Sequence, residues 1–295
     1  MKFQLNSPMH TPTRQHSPPD QAAGLRQRFC VDPARELPRV VALVHNPFVV
    51  FGGVAMERLA SALGERGLHT LVVDAAETAS APHELADVDL AACIEPLSTR
   101  VSYLAACGLP KRWLDAQGGT GGFVAALGQA APQTDVLLLH AGAADLRRLY
   151  LGANAVAAPL CPLVLAGSSA DSLTHAYGAI KLLAQRAGVF AFDLLVLVET
   201  GSPKADRQAQ ALAQRLADCA ERFLDVGLRS WAAVDPASDR DDAPAPELLA
   251  LLAAQLRPAM LPADDGSVSG TLADPARQPF APGRAPLRAS APTGV

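Results

Sequence analysis

Residues 46–54 read Asn46-Pro47-Phe48-Val49-Val50-Phe51-Gly52-Gly53-Val54, between an apolar run at 39–45 and a helical pattern at 54–66. A strand, a glycine-bearing loop and a helix in that order can curl backbone N–H groups around phosphates. That chemistry also needs a Lys for the terminal phosphates and a Ser or Thr for Mg²⁺. Here each part is missing. Pro47 has no N–H to offer. Val49 and Val50 are β-branched and resist positive φ. Gly53 and Val54 stand where a Lys-Thr pair would fall. The scaffold of a phosphate site is present and its chemistry is not, so no nucleotide or other cofactor is expected.

A second set of chemically able residues falls at the same place. His45 and His140 end apolar runs, Asp74 ends another, and His175 opens a helical pattern. In a parallel sheet these would meet at the carboxyl edge, where ligands bind. They could assemble a metal or acid/base site. The favoured reading is plainer: polar residues fill a vacated pocket and hydrogen-bond to loop backbone. No H-x-x-x-H or C-x-x-C spacing supports a metal, and none is expected. The glycine-dense stretch Gln117–Gly122 precedes a helix and could hold an anion; without a Lys-Thr frame it reads as a tight turn.

The elements that must position these residues alternate along the chain. Strands are expected at 39–45, 68–74, 101–107, 111–115, 135–140, 161–167, 192–199 and 228–234. Helices are expected at 54–66, 121–130, 170–187, 204–224 and 246–257. The alternation predicts an α/β domain, a doubly wound and mostly parallel sheet with helices on both faces. The 39–45 strand should be central, beside 135–140. Runs such as Val136–Leu139 and Leu194–Val198 lack polar alternation, as strands covered on both faces do.

Composition bounds the rest. The chain has 295 residues, enough for one sizeable domain with tails. Residues 1–37 read as a disordered arm with a short helix at 20–30, 38–257 as the domain, and 258–295 as a disordered tail. A net charge of −4 argues against a general nucleic-acid binder. The 5 cysteines are scattered and read as thiols in a reducing compartment. No apolar run approaches the ~20 residues of a membrane span, and no apolar leader opens the chain. A cytoplasmic protein is expected. Helix 246–257 has Arg257 as its one Lys or Arg, so packing on the sheet is favoured over a membrane anchor.

Several phrases resemble one family. Asp20-Gln21-Ala22-Ala23-Gly24-Leu25-Arg26 matches the D-Q-A-x-x-L-R motif that opens FlhG (FleN) proteins, flagellar number regulators of the MinD/ParA type. Leu63–Gly67 with Leu71–Ala75, Leu173–Leu183 and Phe223–Leu228 are similar to further passages of that family. The resemblance covers roughly residues 20–257 and implies a MinD-like P-loop NTPase fold. It also implies that Asp20, Gln21, Ala22, Leu25 and Arg26 dock on, and activate, an FlhF-like signal-recognition-type GTPase. That partner would be the route to the cell pole or membrane.

The departures are equally specific. Where the family has S-G-K-G-G-V-G-K-T, both lysines are lost, at Phe48 and Gly53. Its D-A-D pair keeps Asp74, but the second acid is Ala76. The acid ending its Walker B strand is His140, and the Asn that reads adenine is Glu199. Phosphate, magnesium and base contacts fall together. The reading is a degenerate, non-hydrolysing pseudo-ATPase that controls flagellar number or placement. The alternatives are an active MinD-type ATPase, or an unrelated small-molecule or metal enzyme at the same sheet edge. Oligomeric state stays open, because in this family ATP drives dimer formation.

Overall fold

The computed structural model describes residues 37–151, 161–198, 203–238 and 243–257. The arm with Asp20–Arg26, the tail from 258 and Glu199 lie outside the described residues.

Among the described residues eight strands form one sheet: β1 (Arg39–Val44), β2 (Thr70–Asp74), β3 (Glu95–Pro96), β4 (Val101–Ala105), β5 (Val136–Ala141), β6 (Leu163–Gly167), β7 (Ala191–Leu197) and β8 (Gly227–Val234). Their order across the sheet is β3-β4-β2-β5-β1-β6-β7-β8. All neighbours are parallel except β3, which runs antiparallel to β4. Among the described residues six α-helices accompany them: α1 (Gly52–Glu65), α2 (Gly121–Ala130), α3 (Ala143–Leu151), α4 (Ala170–Ala187), α5 (Pro203–Leu224) and α6 (Pro246–Gln255).

The sheet is doubly wound because its strands are apolar on both sides. Val40, Ala42 and Val44 of β1 pack with α2, α3, α4 and α5. Val41 and Leu43, one residue out of phase, pack with α1 and α6. The period of two along a strand sends successive side chains to opposite faces. Both faces are apolar, so each needs a helix layer. Helix α6 contributes buried Leu248, Leu251 and Leu252 to this packing. No helix among the described residues is long and apolar enough to cross a membrane.

The structure differs from expectation at 111–115 and at α3, and it adds the short β3 and 3₁₀ turns at Glu84–Asp87 and Ala91–Cys93. Residues 111–115 are not a strand; Leu109–Trp113 form a 3₁₀ turn with Leu109 and Pro110 buried. Gly108 at φ 71° starts that turn, and Pro110 has no N–H for a ladder. No element is expected at 143–151, yet helix α3 forms there, with Leu146 and Leu149 as its buried face and Asp145 in its first turn. Its apolar stripe is short, and its polar residues dominate the pattern. Smaller shifts are at the ends: α1 begins at Gly52 and α6 stops at Gln255.

The amino edge of the sheet is closed by one polar cluster. Asp193 of β7 is 0% exposed. Its carboxylate accepts a two-pronged bond from Arg229 of β8 and a 2.8 Å bond from the Gln255 amide. Gln255 also donates to the Cys161 carbonyl at 3.1 Å, and Arg39 to that of Leu256 at 2.8 Å. These bonds pin the end of α6 under the sheet.

Candidate functional site

Strand register brings Asp74 and the histidines together at the opposite edge. In β2 and β5, Asp74 pairs with His140; in β1 and β5, Leu43 pairs with His140. The ladder continues past the strand ends, with His45 N–H donating to Ala141 O and Ala75 N–H to His140 O, both at 2.8 Å. Three adjacent strands therefore deliver three side chains to one line. His140 Nδ1 lies 2.8 Å from Asp74 Oδ1, and His140 Nε2 lies 3.2 Å from His45 Nδ1. The two imidazoles meet edge to face, with centroids 4.9 Å apart and planes at 75°. The Ala76 N–H donates to the same Asp74 oxygen at 3.3 Å and fixes the carboxylate.

His45 differs from its neighbours. Its Nε2 is buried and has no hydrogen-bond partner. Burial above all, then the adjacent His140, lowers the imidazole to about 4; Asp74 pulls the other way and His175 adds a further lowering. His175 of α4 is likewise lowered by burial, and its Nδ1 is also buried without a partner. The Phe48 ring stands 6.0 Å from the His175 ring. Among the described residues no group of three or more His, Cys, Asp or Glu side chains could hold a metal ion.

The 46–54 loop is a tight turn. Val49 N–H donates to Asn46 O at 3.0 Å, with Pro47 at the second position. Asn followed by Pro suits such a turn, because Pro presets φ and Asn bonds backbone nearby. Asn46 is buried, and Phe48 N–H donates to its Oδ1 at 3.1 Å. Its Nδ2 reaches Leu165 O and Ser172 O at 2.9 Å and Ser172 Oγ at 3.0 Å. Ser172 Oγ in turn accepts from Gly167 N–H at 2.8 Å. Ser169 caps α4 by accepting from Ser172 N–H at 3.1 Å. The loop is thus stitched to β6 and α4 by protein groups alone. No residue from Asn46 to Val54 has positive φ, so the alternating hand of an anion-binding nest is not formed there.

The apolar side chains of the loop do not together fill the vacated space. Phe48 is 50% and Val50 87% exposed, and Phe51 is also exposed. Only Val49 turns inward, toward Gly167; a Cβ on Gly167 would meet its Cγ2 at 3.5 Å. The exposed side chains rim a cleft of about 560 Å³ that includes Leu197, Lys204 and Gln208. The Gln117–Gly122 stretch is the turn expected: Asp115 Oδ1 accepts from Gln117 N–H at 2.9 Å and Gly119 N–H at 2.7 Å. Sequence reasoning missed the Asn46–Ser172 tie. Its signals were the Asn-Pro pair and the Ser169-x-x-Ser172 spacing of a helix cap.

No protein-family model and no curated protein matches the chain. Solved structures do. A plasmid partition protein from Borrelia burgdorferi B31 bound to AMPPNP is 10% identical, with TM-score 0.47, over 74% of this chain and 98% of that one. A chain of the MinC:MinD cell division complex of Aquifex aeolicus is 12% identical, with TM-score 0.43, over 66% and 81%. Cyanothece McdA in complex with ATP is 13% identical, with TM-score 0.42, over 69% and 85%. With TM-scores below 0.5, these likenesses bear on neither activity nor ligand.

Proposed function

We propose that this chain is a non-hydrolysing regulator of the FlhG-like MinD type, which works by binding a partner. The observation that carries the reading is the Asn46–Val49 turn. Protein groups already bond Asn46, Ser172 and Gly167 to one another, and the loop itself carries no Lys, the Lys204 that lines the neighbouring cleft belonging to α5. With His140 in the acid's place and bonded to Asp74, the edge offers no charge set for phosphate and Mg²⁺. The FlhG-like phrases support the family, and the Asp20–Arg26 motif supports an FlhF-like GTPase as partner. In this reading the protein is cytoplasmic and reaches the pole or membrane through that partner.

Calorimetry with ATP and ADP, with and without Mg²⁺, tests the first half; no binding is expected. Micromolar, Mg²⁺-dependent binding would overturn it in favour of an active ATPase. For the second half, a peptide of residues 1–35 should bind the GTP form of the GTPase and raise its hydrolysis rate. Gln21→Ala should lower stimulation more than binding, and Leu25→Ala should weaken binding itself. An unchanged GTPase rate with peptide and with full-length protein sinks the partner reading.

A further inference from the structure

We propose that the free side of β8 takes up an extended, basic segment of a partner protein as an added strand. The proposal goes beyond the regulatory reading and rests on β8 and the helices that flank it.

The two outer strands of the sheet differ. β3 ends one side with two residues, Glu95 and Pro96. Short length, a charge and a Pro are what blunt an outer strand against pairing. β8 ends the other side with 8 residues, Gly227–Val234, and has β7 as its one neighbour among the described residues. It holds no Pro, and its one charged residue, Arg229, is paired with Asp193. The irregularity in its ladder falls early: the register steps from Leu228 to Ser230 and then runs unbroken to Val234. Val198 N–H donates to Val234 O at 3.1 Å, so the Val234 backbone faces β7. Backbone groups alternate sides along a strand, which turns those of Trp231 and Ala233 to the free side. Such a row is a template for another strand.

That row lies in a groove. Ala209 of α5 packs on one face of the sheet and Leu248 of α6 on the other. Both line a cleft of about 610 Å³ that also takes in Trp231, Ala233 and Asp235, every second residue of the strand and its extension. From Trp231 to Asp235 the backbone covers about 13 Å, the length of an added strand of about five residues. Trp231 is partly buried and gives the groove an aromatic wall.

The groove also selects for charge. Asp206, Asp235 and Glu247 line it. Its one Lys or Arg among the described residues, Arg58, is already bonded to the Ser238 carbonyl and hydroxyl. Three carboxylates against one engaged guanidinium favour Lys or Arg on the incoming segment and repel an acidic one. In strand addition, main-chain bonds supply affinity and the flanking side chains choose among segments.

The test uses the full chain and a short, end-blocked, fluorescent peptide that alternates valine and lysine. Its anisotropy should saturate with a Kd below about 1 mM. A fully N-methylated copy keeps the charge and loses the N–H donors, and should bind about tenfold more weakly. A valine–glutamate peptide of the same length should weaken by about the same factor. Ala233→Pro removes an N–H on the free side, where an outer strand tolerates Pro, and should weaken binding about tenfold. Asp206→Lys, at an exposed position, needs no change in the strand and should also weaken it about tenfold. Bound peptide should slow amide exchange at Trp231 and Ala233. No saturation by about 1 mM, or binding indifferent to N-methylation and to peptide charge, overturns the proposal. A dimer of the chain that protects the same two amides without peptide puts a second copy in the groove and overturns it as well. Nucleotide and GTPase assays bear on the regulatory reading and leave this result unchanged.

Discussion

The two edges of the sheet each hold a carboxylate among polar neighbours, buried at Asp193 and partly buried at Asp74, and they are finished differently. At the amino edge, Asp193 is met by a guanidinium and an amide, three bonds in all, and the cluster ties β7, β8 and α6 together. At the carboxyl edge, Asp74 is met by an imidazole that leans on a second imidazole whose outer nitrogen bonds nothing. The first cluster is closed on itself and holds structure. The second leaves one buried nitrogen, His45 Nε2, without a partner. Burial alone does not separate the two; the completeness of the hydrogen bonding does.

If that contrast is right, the largest loss of stability lies at the amino edge. Arg229→Ala leaves Asp193 as a buried, unpaired charge and should cost about 3 kcal/mol, read by urea unfolding. A loss no larger than that of an ordinary surface substitution would break the comparison.

Asn46→Ala comes next. It removes the tie from the loop to Leu165 and Ser172 and strands their acceptors, which should cost about 2 kcal/mol. Because the loop rather than the core is released, hydrogen exchange should quicken at residues 47–51 before it does in β1.

The second cluster should be the more replaceable. Asp74→Asn combined with His140→Leu removes charge and imidazole together. The double variant should lie within about 1 kcal/mol of the wild type in the same unfolding assay. A loss as large as that of Arg229→Ala would show that the carboxyl edge is structural after all.

The smallest effect concerns Cys161, beside the closed cluster. Burial, then the Asp193 charge, pushes its thiol up to about 12. At pH 8 it should react with iodoacetamide far more slowly than exposed Cys219. The unfolded thiol titrates near its ordinary value of 9.0, so unfolding releases a proton above that pH. Stability should therefore fall as pH climbs from 9 towards 12, and Cys161→Ala should flatten that slope.

Much of the frame was legible along the chain. The runs at β1, β5, β6 and β7 are apolar without alternation, and α2 and α4 fall where their patterns place them. The 111–115 segment suggests a strand because Trp113 and Leu114 suit one, yet Pro110 just before it has no N–H for a ladder and the chain forms a 3₁₀ turn instead. Helix α3 was missed because two buried leucines make a faint stripe. At the site, His45, Asp74 and His140 were placed on one edge from the strand ends alone. Their line was not legible, because side-chain contact depends on register, and register is set by pairing between strands far apart in sequence.

The sequence by itself determined that the 46–54 loop lacks what phosphate needs. Side-chain identity settles that: Pro47 has no N–H, and no Lys or Thr follows. Alternation of apolar runs likewise determined a two-faced parallel sheet, since nearest-neighbour periodicity is a local property. Only the tertiary structure decided what the vacated edge became. Asn46 finds Ser172 across 126 residues of chain, and His140 finds Asp74 across 66. Which nitrogen is left bare on His45 follows from those meetings, because a tautomer is fixed by its partners and not by its neighbours in sequence.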